Sequence, residues 1–267
     1  MQADSVGNPL DLPHSASELP PSPRILVTFP TYNEKENIVR LVPEVHGYLP
    51  AAHVLVIDDN SPDGTGILVD EMAAKDPRIH VIHRSGKLGL GTATLAAMRY
   101  AIENQYDFML NMDADFSHPP RYIPSIVAGM TKWDVTIGSR YTTGGGSTGW
   151  PLKRRILSRG VNALVRFLFR MGVRDASGAF RCYRVSLLKV ARLDRVRSRG
   201  YSFQQEVLHA CHQAGGRFGE TPILFENRKF GYSKVSFQES IRSISMLVYL
   251  GVKSYFRRPL HKPVFRR

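Results

Sequence analysis

Short apolar runs alternate with helical periodicities through the first half of the chain. Runs at Arg24–Phe29, His53–Asp58, Ile79–His83, Phe108–Met112 and Val135–Ser139 are rich in β-branched and aliphatic residues and are predicted strands. Between them, helical patterns cover about 34–48, 65–75, 91–104 and 120–131, the second following the turn cluster Ser61-Pro-Asp-Gly64. This β-α-β-α rhythm predicts an α/β fold, a mostly parallel sheet flanked by helices. Such open sheets bind ligands beyond the carboxyl ends of their strands, often a nucleotide. Asp58/Asp59 and Asp113/Asp115 fall at two such ends.

The pattern changes after the flexible break Thr142–Gly149. In a predicted helix over about 153–171, Arg155, Arg159, Arg166 and Arg170 lie within a sector of roughly 80° at 100° per residue. Ile156, Leu157, Val161, Leu164, Val165, Phe167 and Leu168 occupy the other side. Two readings stay open: a helix in a membrane interface with arginines toward headgroup phosphates, or a surface helix with a solvated basic face. A second amphipathic stretch, about 236–256, carries Phe237, Ile241, Ile244, Val248, Val252 and Tyr255 on one stripe. Residues 1–23, with five prolines among small polar residues, read as a disordered leader. The expected organisation is that leader, a main domain over 24–235 with the basic helix inside 152–200, and an amphipathic helix plus basic tail over 236–267. No apolar run approaches the ~18–20 residues that span a bilayer, so no transmembrane segment is expected.

Charge sharpens this division. The net +13 is uneven: residues 1–151 hold 11 Lys/Arg against 17 Asp/Glu, residues 152–200 hold 14 against 2, and residues 251–267 hold 6 against none. A basic block of that kind suits nucleic acid, phospholipid headgroups or a phosphorylated substrate. It lacks the interleaved aromatics of a single-strand binder, and the acidic half would repel a nucleic-acid backbone, so no nucleic-acid partner is expected. Cys182 and Cys211 have neither the number nor the spacing for a disulfide framework or metal clip, which suits a reducing compartment.

The chemistry concentrates at Asp107-Phe-Met-Leu-Asn-Met-Asp-Ala-Asp-Phe-Ser-His118. In extended backbone Asp113 and Asp115 point the same way. Two converging carboxylates suit a hard cation, Mg²⁺ or Mn²⁺, that also carries phosphate oxygens; a solvated strand end is the alternative reading of so short a motif. Pro30-Thr-Tyr-Asn-Glu34 offers an aromatic ring and a carboxylate to a nucleoside, or simply a turn and a helix start. Ile57-Asp-Asp-Asn-Ser-Pro-Asp-Gly-Thr65 offers acids to base N–H or ribose hydroxyl groups, or an Asx-rich turn.

Taken in order with Lys87-Leu-Gly-Leu-Gly-Thr92, Gly138-Ser-Arg-Tyr141, Gly149-Trp-Pro-Leu-Lys-Arg-Arg155, Ser177-Gly-Ala-Phe-Arg-Cys-Tyr183 and Gly200-Tyr-Ser-Phe-Gln-Gln-Glu206, these segments closely resemble the polyprenyl-phosphate mannosyltransferases (dolichol-phosphate mannose synthases), inverting family-two glycosyltransferases. The resemblance covers about residues 24–256. It implies a GT-A-like fold with C-terminal amphipathic interface helices, and transfer of mannose from GDP-mannose to a polyprenyl or dolichyl monophosphate. Carried across, Pro30, Tyr32, Glu34, Ile57 and Asp59 hold the nucleoside. Asp113 and Asp115 bind the metal with the Ala114 backbone nearby, and Ser117 stands at a further ligand position. Arg140 meets phosphate charge. Lys153, Arg154 and Ser158 face the lipid phosphate, and Arg228 and Lys234 close over the donor. His118 is expected beside the metal ligands rather than among them, and Asp175 is expected to brace Arg181. Glu206 stands where relatives that act on sugar hydroxyls keep a catalytic carboxylate; with a phosphate nucleophile a base is dispensable, so a structural role is expected and a catalytic one is the alternative. The nearest rival is the same fold with another donor, a polyprenyl-phosphate glucosyltransferase or other family-two enzyme using a UDP-sugar. The expected location is the cytosolic face of a membrane, that of the endoplasmic reticulum in a eukaryote or the cytoplasmic membrane in a bacterium. Basic segments or small membrane-anchoring subunits would hold the chain there.

Overall fold

A computed structural model describes residues 22–198, 200, 202–226 and 245–251. Arg228 and Lys234, the leader up to residue 21 and most of the stretch 236–256 lie outside the described residues. The strands and helices expected for the first half are present: β1 (Ile25–Thr31), α1 (Lys35–Tyr48), β2 (His53–Asp58), α2 (Thr65–Ala73), β3 (Ile79–His83), α3 (Leu90–Glu103) and β4 (Phe108–Asn111). They are followed by α4 (Ile123–Ala128), β5 (Val135–Ser139), β6 (Gly146–Ser147), α5 (Leu152–Phe169), β7 (Arg181–Arg184), α6 (Val185–Val190), α7 (Phe203–Gln213), β8 (Phe218–Pro222) and β9 (Leu224–Phe225). The single helix expected at 120–131 is instead α4 between two short 3-10 turns, Pro120–Tyr122 and Gly129–Thr131. Pro120 and Pro124 lack the N–H groups that a continuous helix would use.

Seven strands form one sheet in the order β3-β2-β1-β4-β7-β5-β8. β7 runs antiparallel to both neighbours, and every other pairing is parallel. Alternation along the strands sorts the core onto two faces. Val27, Phe29, Val54, Val56 and Leu110 pack with Ile38, Leu41 and Val45 of α1, Val69 of α2 and Ile126 of α4. Leu26, Leu55, Ile57 and Met109 pack on the other face with Ala97 and Met98 of α3, Val165 and Phe169 of α5, Leu188 of α6 and Leu208 of α7. Each such Leu, Ile or Val contributes roughly 1.5–3 kcal/mol by leaving water. The sheet's parallel strand ends are thereby fixed as a rigid platform.

Two expectations need correction. β4 stops at Asn111, so Asp113 and Asp115 sit in the following turn, where Phe116 adopts φ 61°, and strand alternation does not set their directions. The apolar side of α5 is not one face but two. Val165 and Phe169 are buried, whereas Leu152, Ile156, Leu157 and Phe167 are exposed, Phe167 by 80%. No helix among the described residues is long and apolar enough to cross a membrane.

Candidate active site

The carboxyl ends of β1 and β2 are in register, with Pro30 beside Ile57 and Thr31 beside Asp58. The Ile57 side chain is wholly inside the core, so only its backbone can reach a ligand. The acids after β2 divide their work. Asp58 accepts hydrogen bonds from the Ser61 amide at 3.0 Å and the Ser61 hydroxyl at 2.5 Å, and Asp63 accepts from the Thr65 amide and hydroxyl and from the Lys35 amide. Those two pin the turn. Asp59 instead faces Arg84, with Arg84 Nε 2.9 Å from Asp59 Oδ1 and both side chains buried. Burial raises the Asp59 pKa and the Arg84 cation opposes it, leaving a net upward direction. The Lys87 ammonium lies 4.2 Å from the centre of the Tyr32 ring, and Glu34 accepts from Asn37 Nδ2 at 2.7 Å. Arg84 and Lys87 were not assigned roles from sequence; the only signal was that the Gly-rich stretch beginning at Lys87 belongs to the resemblance.

The acidic pair is held asymmetrically. Asp115 is buried and its Oδ1 accepts from the Ser117 amide at 3.1 Å and the Ser117 hydroxyl at 2.5 Å. Asp113 is 29% exposed, and its backbone N–H donates to His118 Nδ1 at 3.0 Å. His118 is therefore the Nε2–H tautomer, an aromatic wedge between Phe180 and Phe225, with centroids at 5.1 and 5.4 Å. Burial pushes its pKa down, the neighbouring Asp113 and Asp115 notwithstanding. By accepting the Asp113 backbone N–H, the histidine orients the turn. Ala114 is buried beside them. The donor set, two carboxylates, fits a hard divalent cation. No group of three or more His, Cys, Asp or Glu side chains among the described residues could hold an ion alone, so such an ion would need ligand or water oxygens to complete its shell. Ser117 is wholly buried, and its observed contact is to Asp115.

Arg140 follows β5, close enough to Asp113 and His118 for its charge to act on both. Its Nε and Nη2 donate to Asp175 at 2.8 and 2.7 Å, its backbone N–H donates to the same carboxylate at 2.9 Å, and Nη2 also donates to Ser177 Oγ at 2.8 Å. Asp175 thus braces Arg140; Arg181, expected as its partner, donates to the carbonyls of Ala176 and Gln204, each at 2.7 Å. Burial alone would raise the Asp175 pKa, but the Arg140 cation and its hydrogen bonds outweigh that and hold it low. Trp150 and Phe225 form an aromatic wall, with the Arg140 guanidinium 5.1 and 5.7 Å from their centroids and Arg154 stacked over Trp150 at 4.0 Å. The short pairing of β6 with β9 brings Phe225 there. The buried Trp150 indole N–H has no hydrogen-bond partner among the described residues. Ser158 Oγ accepts from the Tyr141 hydroxyl at 2.7 Å, and Lys153 is exposed. Glu206, in α7, accepts the backbone N–H groups of Arg197 and Ser198, the shortest at 2.8 Å. That is the geometry of a loop clamp.

The mostly parallel sheet, with a turn-borne acidic pair after β4 and a braced arginine after β5, is a GT-A-like glycosyltransferase fold. The chain belongs to glycosyl transferase family 2, whose model matches residues 27–191. It is 43% identical over 221 residues to the polyprenol monophosphomannose synthase of Mycolicibacterium smegmatis, covering 81% of this chain and 82% of that protein. It is 38% identical over 213 residues to the undecaprenyl-phosphate mannosyltransferase of Micrococcus luteus, covering 80% and 88%. The fold also matches a crystal structure of glucosyl-3-phosphoglycerate synthase from Mycobacterium tuberculosis in complex with Mn²⁺, uridine diphosphate and glucosyl-3-phosphoglycerate. There the TM-score is 0.60 at 16% identity, over 85% of this chain and 79% of that one. At that identity the likeness is one of fold.

Proposed function

We propose that the chain transfers mannose from GDP-mannose to a polyprenyl monophosphate with inversion at the anomeric carbon. The observation that carries the reading is the Asp113/Asp115 turn within electrostatic reach of the buried, braced Arg140, in a chain 43% identical to a polyprenol monophosphomannose synthase. The acceptor is a phosphate already ionised at neutral pH, so no side chain needs to remove a proton. One of its oxygens forms a bond to the anomeric carbon from one face while the bond to the donor's diphosphate oxygen breaks on the other. The nucleoside diphosphate leaves with the electron pair.

The residues divide accordingly. Tyr32, Glu34 and Asp59, with the backbone at Pro30 and Ile57, hold the nucleoside. Asp113 and Asp115 would hold a divalent cation, Mg²⁺ or Mn²⁺, which when bound supplies positive charge against the leaving diphosphate. Ser117 fixes the Asp115 carboxylate. Arg140, held in place by Asp175, presents fixed positive charge where the two phosphate groups meet, at little reorganisation cost. Lys153, Arg154, Ser158 and the unpartnered Trp150 N–H receive the lipid phosphate; Arg228 and Lys234 close over the donor. The exposed Leu152, Ile156, Leu157 and Phe167 of α5 lie against the membrane surface beside that phosphate.

Donor competition tests this. The protein is incubated with polyprenyl phosphate, divalent cation and radiolabelled GDP-mannose or UDP-glucose, and label entering organic solvent is counted. Label from GDP-mannose is expected. Label from UDP-glucose alone would replace mannose with glucose.

A further inference from the structure

A cavity of about 450 Å³ opens on the flank of α5, lined by Arg140 and Thr142 after β5, by Arg159, Asn162 and Arg166 of α5, and by Arg174. Four arginines in one concavity repel one another unless each has a counter-charge. Arg140 has Asp175. The side chains of Arg159, Arg166 and Arg174 make no hydrogen bond or ion pair with any described residue. The carboxylates bonded to this segment are already engaged: Asp175 with Arg140, and Glu220 with the backbone N–H groups of Arg174 and Asp175 at 2.9 and 2.8 Å.

The walls are preformed. Buried Asn162 donates to Ser177 Oγ at 3.0 Å and to the Ser158 carbonyl at 2.8 Å, and accepts from the Ala176 N–H at 2.8 Å. Gly145 completes the rim, where a Cβ would collide with the Ser139 carbonyl. Arg159 and Arg166 are seven residues apart, two turns along one side of the helix. Planar guanidinium forks match phosphate oxygens in pairs.

We propose that Arg159, Arg166 and Arg174 make this cavity a binding site for the phosphate group of an anionic ligand other than the donor and the acceptor, with Arg140, held by Asp175, left to the reacting phosphates. A phospholipid headgroup is the source favoured by the exposed Ile156, Leu157 and Phe167 on the same helix. The site needs nothing from the mannosyl-transfer reading, because its ligand is not the reacting one.

The test uses the full chain and two matched charge removals on α5: Arg159→Gln/Arg166→Gln inside the cavity, and Arg155→Gln/Arg170→Gln outside it. Arg174→Gln, off the helix, is the third variant, and thermal melts check that each folds. Inorganic phosphate binding is titrated calorimetrically, and co-sedimentation is measured with phosphatidylcholine vesicles with and without phosphatidylglycerol. The cavity variants should lose affinity about tenfold or more, with the outside pair within about threefold. Loss against phosphatidylglycerol vesicles assigns the source to the headgroup. Loss against free phosphate alone supports the site and assigns it a soluble phosphate. Equal loss in both α5 pairs, or none in the cavity variants, overturns the proposal.

Discussion

Replacing Asp175 with alanine should be among the most damaging single changes in this molecule, and the structure says why. The carboxylate is wholly buried and receives Arg140 Nε, Arg140 Nη2 and the backbone N–H groups of Arg140 and Gly178, at 2.7–3.0 Å. Alanine would leave a guanidinium with only 8% of its side chain exposed, facing no compensating carboxylate. Orphaning one member of a buried pair costs about 3–5 kcal/mol, and the two amides left without an acceptor push toward the upper end. In a domain of this size that is a fall in melting temperature of roughly 10 °C or more. Asn at 175 keeps an acceptor and loses the charge, so about half the cost is expected.

Urea unfolding of wild type, Asp175→Ala, Arg140→Met and the double variant separates these contributions. The double variant has no orphaned charge, so it should be more stable than Asp175→Ala alone, with clear non-additivity. Because the folded pKa of Asp175 is held below its ordinary 3.8, its contribution is present above that value and lost as pH falls through the folded one. The gap between wild type and Asp175→Ala should therefore hold down to about pH 4 and narrow below it. A cost under about 1 kcal/mol, or strict additivity in the double variant, would refute the reasoning.

Further expectations concern chemistry and pH. Asp115→Asn should abolish transfer with an unchanged melting curve, and Ser117→Ala should weaken activity or metal affinity by about 10- to 100-fold, since it frees rather than removes the carboxylate; full activity in Asp115→Asn would sink the metal role. Glu206→Gln keeps an oxygen for the Arg197 and Ser198 amides, so kcat should fall less than about tenfold, against the 10²–10⁴ expected for loss of a general base. His209 is buried against Phe169 with its pKa pushed down to about 4. The unfolded chain takes up that proton first as pH falls, so wild type should lose about 2 kcal/mol more than His209→Phe between pH 7 and 5 in urea melts. Phe167→Ser with Ile156→Ser should weaken vesicle binding without changing turnover on a short-chain soluble acceptor; unchanged vesicle binding would remove α5 from the membrane surface.

Periodicity alone determined the alternating first half and the placement of acids at strand ends, because apolar runs and turn clusters are local signals. It determined also that a basic block follows an acidic half. β7 was invisible to that reading. Its residues Arg181-Cys-Tyr-Arg184 do not look like an interior strand, yet they lie between β4 and β5. The buried Arg181 is satisfied by the carbonyls of Ala176 and Gln204, and Gln204 is remote in sequence. The partner of Asp175 was likewise out of reach, since 35 residues separate it from Arg140.

The same division runs through α5 and the acidic turn. Helical spacing placed the arginines together, but only packing decided that Val165 and Phe169 face the core while Phe167 faces out. Asp113-Ala-Asp115 could be read as a carboxylate pair from the chain, whereas the end of β4 at Asn111 makes it a turn, and Ser117 and His118 set its shape. Local preferences decide which elements form. The identity of the group that neutralises each buried charge depends on neighbours brought together across the sheet, and that only the tertiary structure decides.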